Sequence, residues 1–139
     1  MRKLTTSSPG VIDVRLLVDT AVLIFGMISP ERISKRASVV LRNPGNVLEL
    51  SAISIAEIAI KSSVGKPAFS DAILQDAIRE LGFRVLPFTA QHALKLFQIP
   101  LHHRDPFDRQ IIAQALCEDI PVVTPDKEFR LYDGVKTFW

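Results

Sequence analysis

Apolar and polar positions follow one another along this chain in two rhythms. Short apolar runs alternate with longer stretches whose apolar residues recur three and four apart. The first rhythm suits strands buried on both faces, and the second suits amphipathic helices. Residues 15–18, 47–51, 83–86 and 121–124 read as strands, and 135–138 as a fifth, at an edge. Residues 20–27, 30–41, 54–63, 70–81, 89–97 and 106–117 read as helices, with a short helical turn over 126–132. Asn43-Pro44-Gly45 stops the second helix, Gly65 and Pro67 close the third, and Gly82 ends the fourth. Strands separated by helices require parallel pairing through crossovers. The expected fold class is therefore α/β: a three-layer α/β/α arrangement around a parallel sheet of four or five strands. Residues 1–14, polar and carrying Pro9-Gly10, read as a flexible tail or edge segment ahead of a single domain over 15–139.

Composition narrows this picture without adding chemistry. The chain has 139 residues, 47% hydrophobic and 23% charged, which fits one self-sufficient domain and excludes intrinsic disorder. The single cysteine, Cys117, excludes an internal disulfide and a multi-cysteine zinc site, and it reads as a small buried apolar side chain. The longest apolar stretch, residues 21–28, is far short of the about 20 residues a membrane span needs. Met1-Arg2-Lys3 leads into no apolar run, so no export signal is expected and the location expected is cytoplasmic.

The carboxylates change the picture most. In open parallel sheets, ligands gather outside the carboxyl ends of the strands. Asp19 follows the first strand directly. It can cap the next helix, with Thr20 as a rival cap, but its place favours a functional role. Glu57 is the only charge between Glu49 and Lys61, in a segment apolar nearly all round. A carboxylate buried there must be neutral, paired or metal-bound. A Glu57–Lys61 pair contributes only about 0.2–0.5 kcal/mol on an exposed face, too little to explain the placement. In Asp105-Pro106-Phe107-Asp108-Arg109, Asp105 makes a good N-cap and Pro106 suits the first helical position. Asp105 can also pair with Arg109, so capping and catalysis stay balanced for it. Asp108 should point toward the strand ends. Asp126, just past the fourth strand, is either a cap or a second strand-end acid.

Acids gathered at such positions repel one another unless cations intervene. Hard oxygen donors without cysteine point to Mg²⁺ or Mn²⁺. Two such ions can activate water and stabilise the departing oxygen of a phosphodiester. Gly65-Lys66 lacks the spacing of a phosphate-binding loop. His92 reads as a surface or supporting residue, and His102 and His103 as loop residues more suited to support than to catalysis.

Several segments together resemble the PIN-domain proteins, specifically the VapC-type toxin ribonucleases. They are Leu16-Leu17-Val18-Asp19-Thr20, residues 51–61 with Gly65-Lys66, His103-Arg104-Asp105-Pro106-Phe107-Asp108-Arg109 with Ala113-Gln114-Ala115, and Thr124-Pro125-Asp126. The ordered set spans nearly the whole chain, and the Asp-Pro-Phe-Asp-Arg segment is its most specific part. The resemblance implies a metal-dependent endoribonuclease, the toxin of a toxin–antitoxin pair, acting as a homodimer. It implies metal-binding carboxylates at Asp19, Glu57, Asp108 and Asp126, with Asp105 as a possible fifth and Thr124 as an orienting hydroxyl. It also implies cleavage by activated water that leaves a 5′-phosphate and a 3′-hydroxyl. The chain departs from the pattern at Ala21, where relatives often carry His, and at Ala56, where they often carry Trp. Both changes bear on substrate contacts or packing, and neither removes a carboxylate.

Lys61, Lys66, Arg104, Arg109 and Lys127 are the candidate phosphate contacts, since basic side chains at a site mouth position a nucleic acid without reading its sequence. The alternatives are a non-catalytic PIN-like module that binds protein or RNA, and a metal-dependent phosphatase or DNA nuclease. Net charge becomes informative only at this point. Seventeen basic against 15 acidic residues give +2. Without the four proposed ligands, 17 against 11 give +6, an acidic pocket inside a basic protein.

Overall fold

Leu16, Leu17 and Val18 are fully buried because both faces of their strand are covered. A computed structural model describes residues 14–64 and 69–139. Its sheet contains β1 (Arg15–Val18), β2 (Val47–Ser51), β3 (Arg84–Leu86), β4 (Val122–Val123) and β5 (Thr137–Phe138). The order is β3-β2-β1-β4-β5, and every neighbouring pair is parallel. The chain runs outward from β1 through β2 to β3, then crosses to the other side of β1 for β4 and β5. The order thus reverses at β1, and the carboxyl ends of β1 and β4 flank the crevice where such sheets bind ligands.

The helices are α1 (Thr20–Ile28), α2 (Lys35–Arg42), α3 (Ala52–Ser63), α4 (Asp71–Glu80), α5 (Ala90–Lys95) and α6 (Pro106–Glu118). Alternation along β1 divides the core. Leu16 and Val18 pack with Val22 of α1, Ala37 of α2, Leu48 and Val123. Leu17 faces the opposite way, toward Ile111, Ile112 and Ala115 of α6 and toward Phe129 and Tyr132. Leu50 extends the first face through Leu23, Ile58 and Leu74. The α/β/α expectation holds, with five strands. No helix among the described residues is long and apolar enough to cross a membrane.

Local departures from the sequence reading have physical causes. Residues 30–41 do not form one helix. A 3-10 turn, Pro30–Arg32, precedes α2, because the Ser34 hydroxyl accepts the Ala37 N–H at 3.1 Å and starts a new helix there. Helix α3 begins at Ala52 rather than Ser54. Ser51 ends β2 and caps α3 at once, accepting the Ile53 N–H at 2.9 Å, so strand and helix join without a loop. Helix α5 passes into a 3-10 turn, Leu96–Gln98. The fourth and fifth strands shrink to two residues each, the length that pairing with their neighbours sustains.

Two side chains sit differently from expectation. His92 is buried rather than superficial: it completes a capping box with Thr89, and its Nε2 lies 2.9 Å from Glu118. Cys117 is only half-buried. The tail reading, apart from Val14, the closing roles given to Gly65 and Pro67, and the phosphate contact expected of Lys66 lie outside the described residues.

Candidate metal centre

Strand β1 ends directly on Asp19, whose N–H donates to the Val123 carbonyl at 3.0 Å. Asp19 stands at the N-cap position of α1, yet its side chain makes no capping bond. Instead the Thr124 hydroxyl donates to Asp19 Oδ2 at 2.7 Å. The same Thr124 oxygen accepts the Asp126 N–H at 3.0 Å. Thr124 thus fixes both strand-end acids across the reversal point. The Asp126 carboxylate also accepts the Glu128 N–H at 2.9 Å, capping the 3-10 turn Lys127–Leu131.

Thr20 does not compete for the cap. Its hydroxyl donates to Ser54 at 2.7 Å in a fully buried contact that ties α1 to the first turn of α3. Glu57 follows one turn later and is 7% exposed. Lys61 Nζ donates to its Oε2 at 2.6 Å, while Oε1 is buried with no hydrogen-bond partner among the described residues. The ion pair and the burial therefore coexist: Lys61 satisfies one oxygen and leaves the other without a hydrogen bond. Asp105 caps α6, accepting the N–H groups of Phe107 at 2.9 Å and Asp108 at 3.3 Å.

Asp19, Glu57, Asp105, Asp108 and Asp126 converge on one cleft of about 380 Å³, with Thr20 and Lys61 also in its wall. All four proposed ligands and the possible fifth are brought together. The basic residues divide. Lys61 is in the cleft, bound to Glu57, and this bond holds its ammonium above the usual pKa. Arg104 and Lys127 are exposed. Arg109 pairs with neither Asp105 nor an open rim; it donates to the carbonyls of Pro100 at 2.8 Å and Ile99 at 3.4 Å, bracing the loop before α6.

Burial pushes Asp19 up to about 6, despite hydrogen bonds from Thr124 and the Thr20 amide, and Glu57 and Asp126 add to the shift. Burial likewise pushes Asp108 up to about 8, helped by the charges of Asp19, Asp105, Glu57 and Asp126. Both shifts reflect burial first and, second, the neighbouring carboxylates' negative charge. An all-oxygen donor set, excess negative charge and an orphaned buried Glu57 oxygen together fit a hard divalent cation.

Sequence reasoning assigned no role to Ser54 or Tyr132, and gave His103 only a supporting one. His103 is buried; its Nδ1 and its backbone N–H both meet the Tyr132 hydroxyl, at 2.6 and 3.2 Å. Only the adjacency of His103 to Asp105 hinted at this, and nothing in the spacing marked Tyr132.

Because Thr124 holds two acids, Thr124→Val is expected to weaken Mn²⁺ binding by about tenfold to a hundredfold, the usual effect of losing such an orienting partner. Thr124→Ser, which keeps the hydroxyl, should restore most of it. Titration calorimetry of the three proteins measures this, and equal affinities would remove Thr124 from the site.

Residues 16–135 match the family model of the PIN domain. Among curated proteins, no sequence matches significantly. Solved structures do match. VapBC2 from Rickettsia felis, bound to a DNA fragment from its promoter, superposes with a TM-score of 0.65 at 14% identity, covering 89% of this chain and 97% of that one. DNA-bound VapBC from Salmonella typhimurium gives 0.63 at 19% identity, covering 89% and 96%. VapBC-5 from Mycobacterium tuberculosis, a member of the VapBC family of toxin–antitoxin systems, gives 0.58 at 19% identity, covering 89% and 97%. At such identities the likeness is one of fold.

Proposed function

Since the chain belongs to the PIN-domain family, a family of nucleases, we propose that it is a metal-dependent endoribonuclease of the VapC type, the toxin of a toxin–antitoxin pair. One observation carries the reading: carboxylates from the end of β1, from α3, from the start of α6 and from the turn after β4 meet in a single cleft at the sheet's reversal point. Asp19, Glu57, Asp108 and Asp126 would hold Mg²⁺ or Mn²⁺. A bound dication would lower the pKa of water and draw charge from the phosphodiester oxygens.

The chain's own residues prepare that chemistry. Thr124 fixes the orientation of Asp19, and Ser54 with Thr20 fixes the approach of α3. Asp105 holds the first turn of α6 and so the position of Asp108. Lys61 offsets one charge at the cleft wall, and the exposed Arg104 and Lys127 are available to hold the flanking phosphates. Water adds to phosphorus as the bond to the 3′-oxygen breaks, leaving a 5′-phosphate and a 3′-hydroxyl. An antitoxin as partner is supported by the similar VapBC structures, and RNA as substrate and a homodimer as the active form are supported by the family resemblance.

The deciding experiment incubates the purified chain with single-stranded RNA, single-stranded DNA and a small phosphate ester, in Mg²⁺, in Mn²⁺ and in EDTA. RNA alone should be cut, internally, and only with metal. Equal cutting of DNA, or preferential hydrolysis of the ester, would replace the ribonuclease assignment. Metal binding without cleavage of any substrate would indicate a non-catalytic module.

A further inference from the structure

A second group of donors adjoins the cleft. A ring nitrogen of His103 and carboxylate oxygens of Asp126 and Glu128 all lie within 4.8 Å of one another. Asp126 also lines the acidic cleft, whereas His103 and Glu128 do not.

His103 supplies the independent sign that a ligand belongs there. The residue is 9% exposed, and Nε2 is buried with no hydrogen-bond partner among the described residues. Asp108 Oδ2 stands 3.5 Å away, too far for a sound N–H···O bond. A buried ring nitrogen without a hydrogen bond is costly, so the fold keeps it at an energetic penalty. The ring cannot easily swing out to water, since it packs edge-on against Phe129 and tilted against Tyr132. Its other nitrogen, Nδ1, lies 2.6 Å from the Tyr132 hydroxyl. An oxygen partner on the far ring nitrogen is the usual support of a metal-binding histidine: it accepts that N–H and turns the opposite lone pair toward the metal. The two carboxylates are equally well placed, because the Asp126 side chain accepts the Glu128 N–H and Thr124 accepts the Asp126 N–H.

We propose that His103 Nε2, Asp126 and Glu128 form a second cation site, of mixed nitrogen and oxygen donors, that takes a divalent transition-metal ion such as Zn²⁺, Co²⁺ or Mn²⁺ in preference to Mg²⁺. Imidazole suits these borderline ions, whereas Mg²⁺ prefers oxygen donors and sheds its waters reluctantly. The acidic cleft, all oxygen, has no such preference built in. The two sites differ in selectivity although they share Asp126, and the mixed site stands whether or not the chain cuts RNA.

The test uses the full chain, ¹⁵N-labelled, in saturating Mg²⁺. The sequence has only three histidines, His92, His102 and His103, so their imidazole nitrogens are separately readable by NMR. Added Zn²⁺ should shift the Nε2 signal of one ring whose Nδ1 keeps its proton, and that response should vanish in His103→Gln. Glu128 is exposed, so Glu128→Gln tests the same site without disturbing the core. It should weaken the imidazole response to Zn²⁺ at least about tenfold. Asp19→Asn, which removes none of the three donors, should leave it in place. An unchanged Zn²⁺ response in Glu128→Gln, or no imidazole response in the parent, overturns the mixed site. Failure of the parent to bind Mg²⁺ would instead overturn the acidic cleft, so the two outcomes are separable.

Discussion

Asp108→Asn is expected to abolish metal-dependent cleavage while making the metal-free protein harder to melt at pH 8. The two effects have one origin. The Asp108 carboxyl sits where burial and four neighbouring acids push it up to about 8. Ionised, it would pair with a dication; without one, its charge is a burden on the fold. The amide keeps the shape and removes the charge. Loss of a metal ligand should cost at least about three orders of magnitude in cleavage rate, or ~4 kcal/mol of transition-state stabilisation. The melting temperature in EDTA should rise by several degrees, since ~1 kcal/mol moves it by roughly 3–6 °C in a chain of this size. A residue with only a structural role would lose stability and activity together. Cleavage assays in Mn²⁺ and thermal melts in EDTA check both halves. Cleavage at the parental rate, or a lower melting temperature, would contradict the assignment.

The second large effect is a stability that falls as pH rises, and only in the absence of metal. In the unfolded chain an Asp loses its proton near 3.8, whereas in the folded chain Asp19 holds one up to about 6 and Asp108 up to about 8. Between these limits the folded state binds more protons than the unfolded state. Stability therefore declines as pH climbs from about 4 to about 8 and levels off beyond. A dication that binds the ionised acids reverses the trend, adding ~2.7 kcal/mol at a hundred times its dissociation constant. In EDTA the melting temperature should thus fall by about 5 °C or more from pH 5 to pH 8. The gain on adding Mn²⁺ should be small at pH 5 and largest at pH 8. Calorimetric scans across this range give the answer, and a flat metal-free profile would mean that the acids do not share one uncompensated field.

Part of the centre was legible because Glu57 conflicts with its apolar helix and Asp19 stands directly at the carboxyl end of a strand. Asp105 and Asp126 were ambiguous in the sequence for a reason the structure makes plain. A helix or turn that starts at the carboxyl edge of a sheet points its cap into the crevice, so one carboxylate both caps and lines the cleft. What stayed hidden depends on long-range partners. The Thr20–Ser54 and His103–Tyr132 contacts join residues 34 and 29 positions apart, and no local pattern announces them. Arg109 looked like a rim cation because its basic charge was visible and the carbonyls it braces were not. The break at Ser34 has no counterpart in the sequence reading, in which one helix runs over residues 30–41.

The position of β4 beside β1 has a consequence for the life of the chain during synthesis. Asp19 and Asp126 are 107 residues apart, and the strand that delivers Asp126 pairs with β1 only after β2, β3 and their helices have been made. No N-terminal fragment that stops short of Asp126 contains the complete acid set. A chain made only as far as β3 therefore carries its first carboxylates without the last, and the centre assembles only once the residues through Asp126 have emerged. For a chain of the PIN-domain family, a family of nucleases, this order of assembly keeps the acid centre incomplete until β4 and the turn after it have been made.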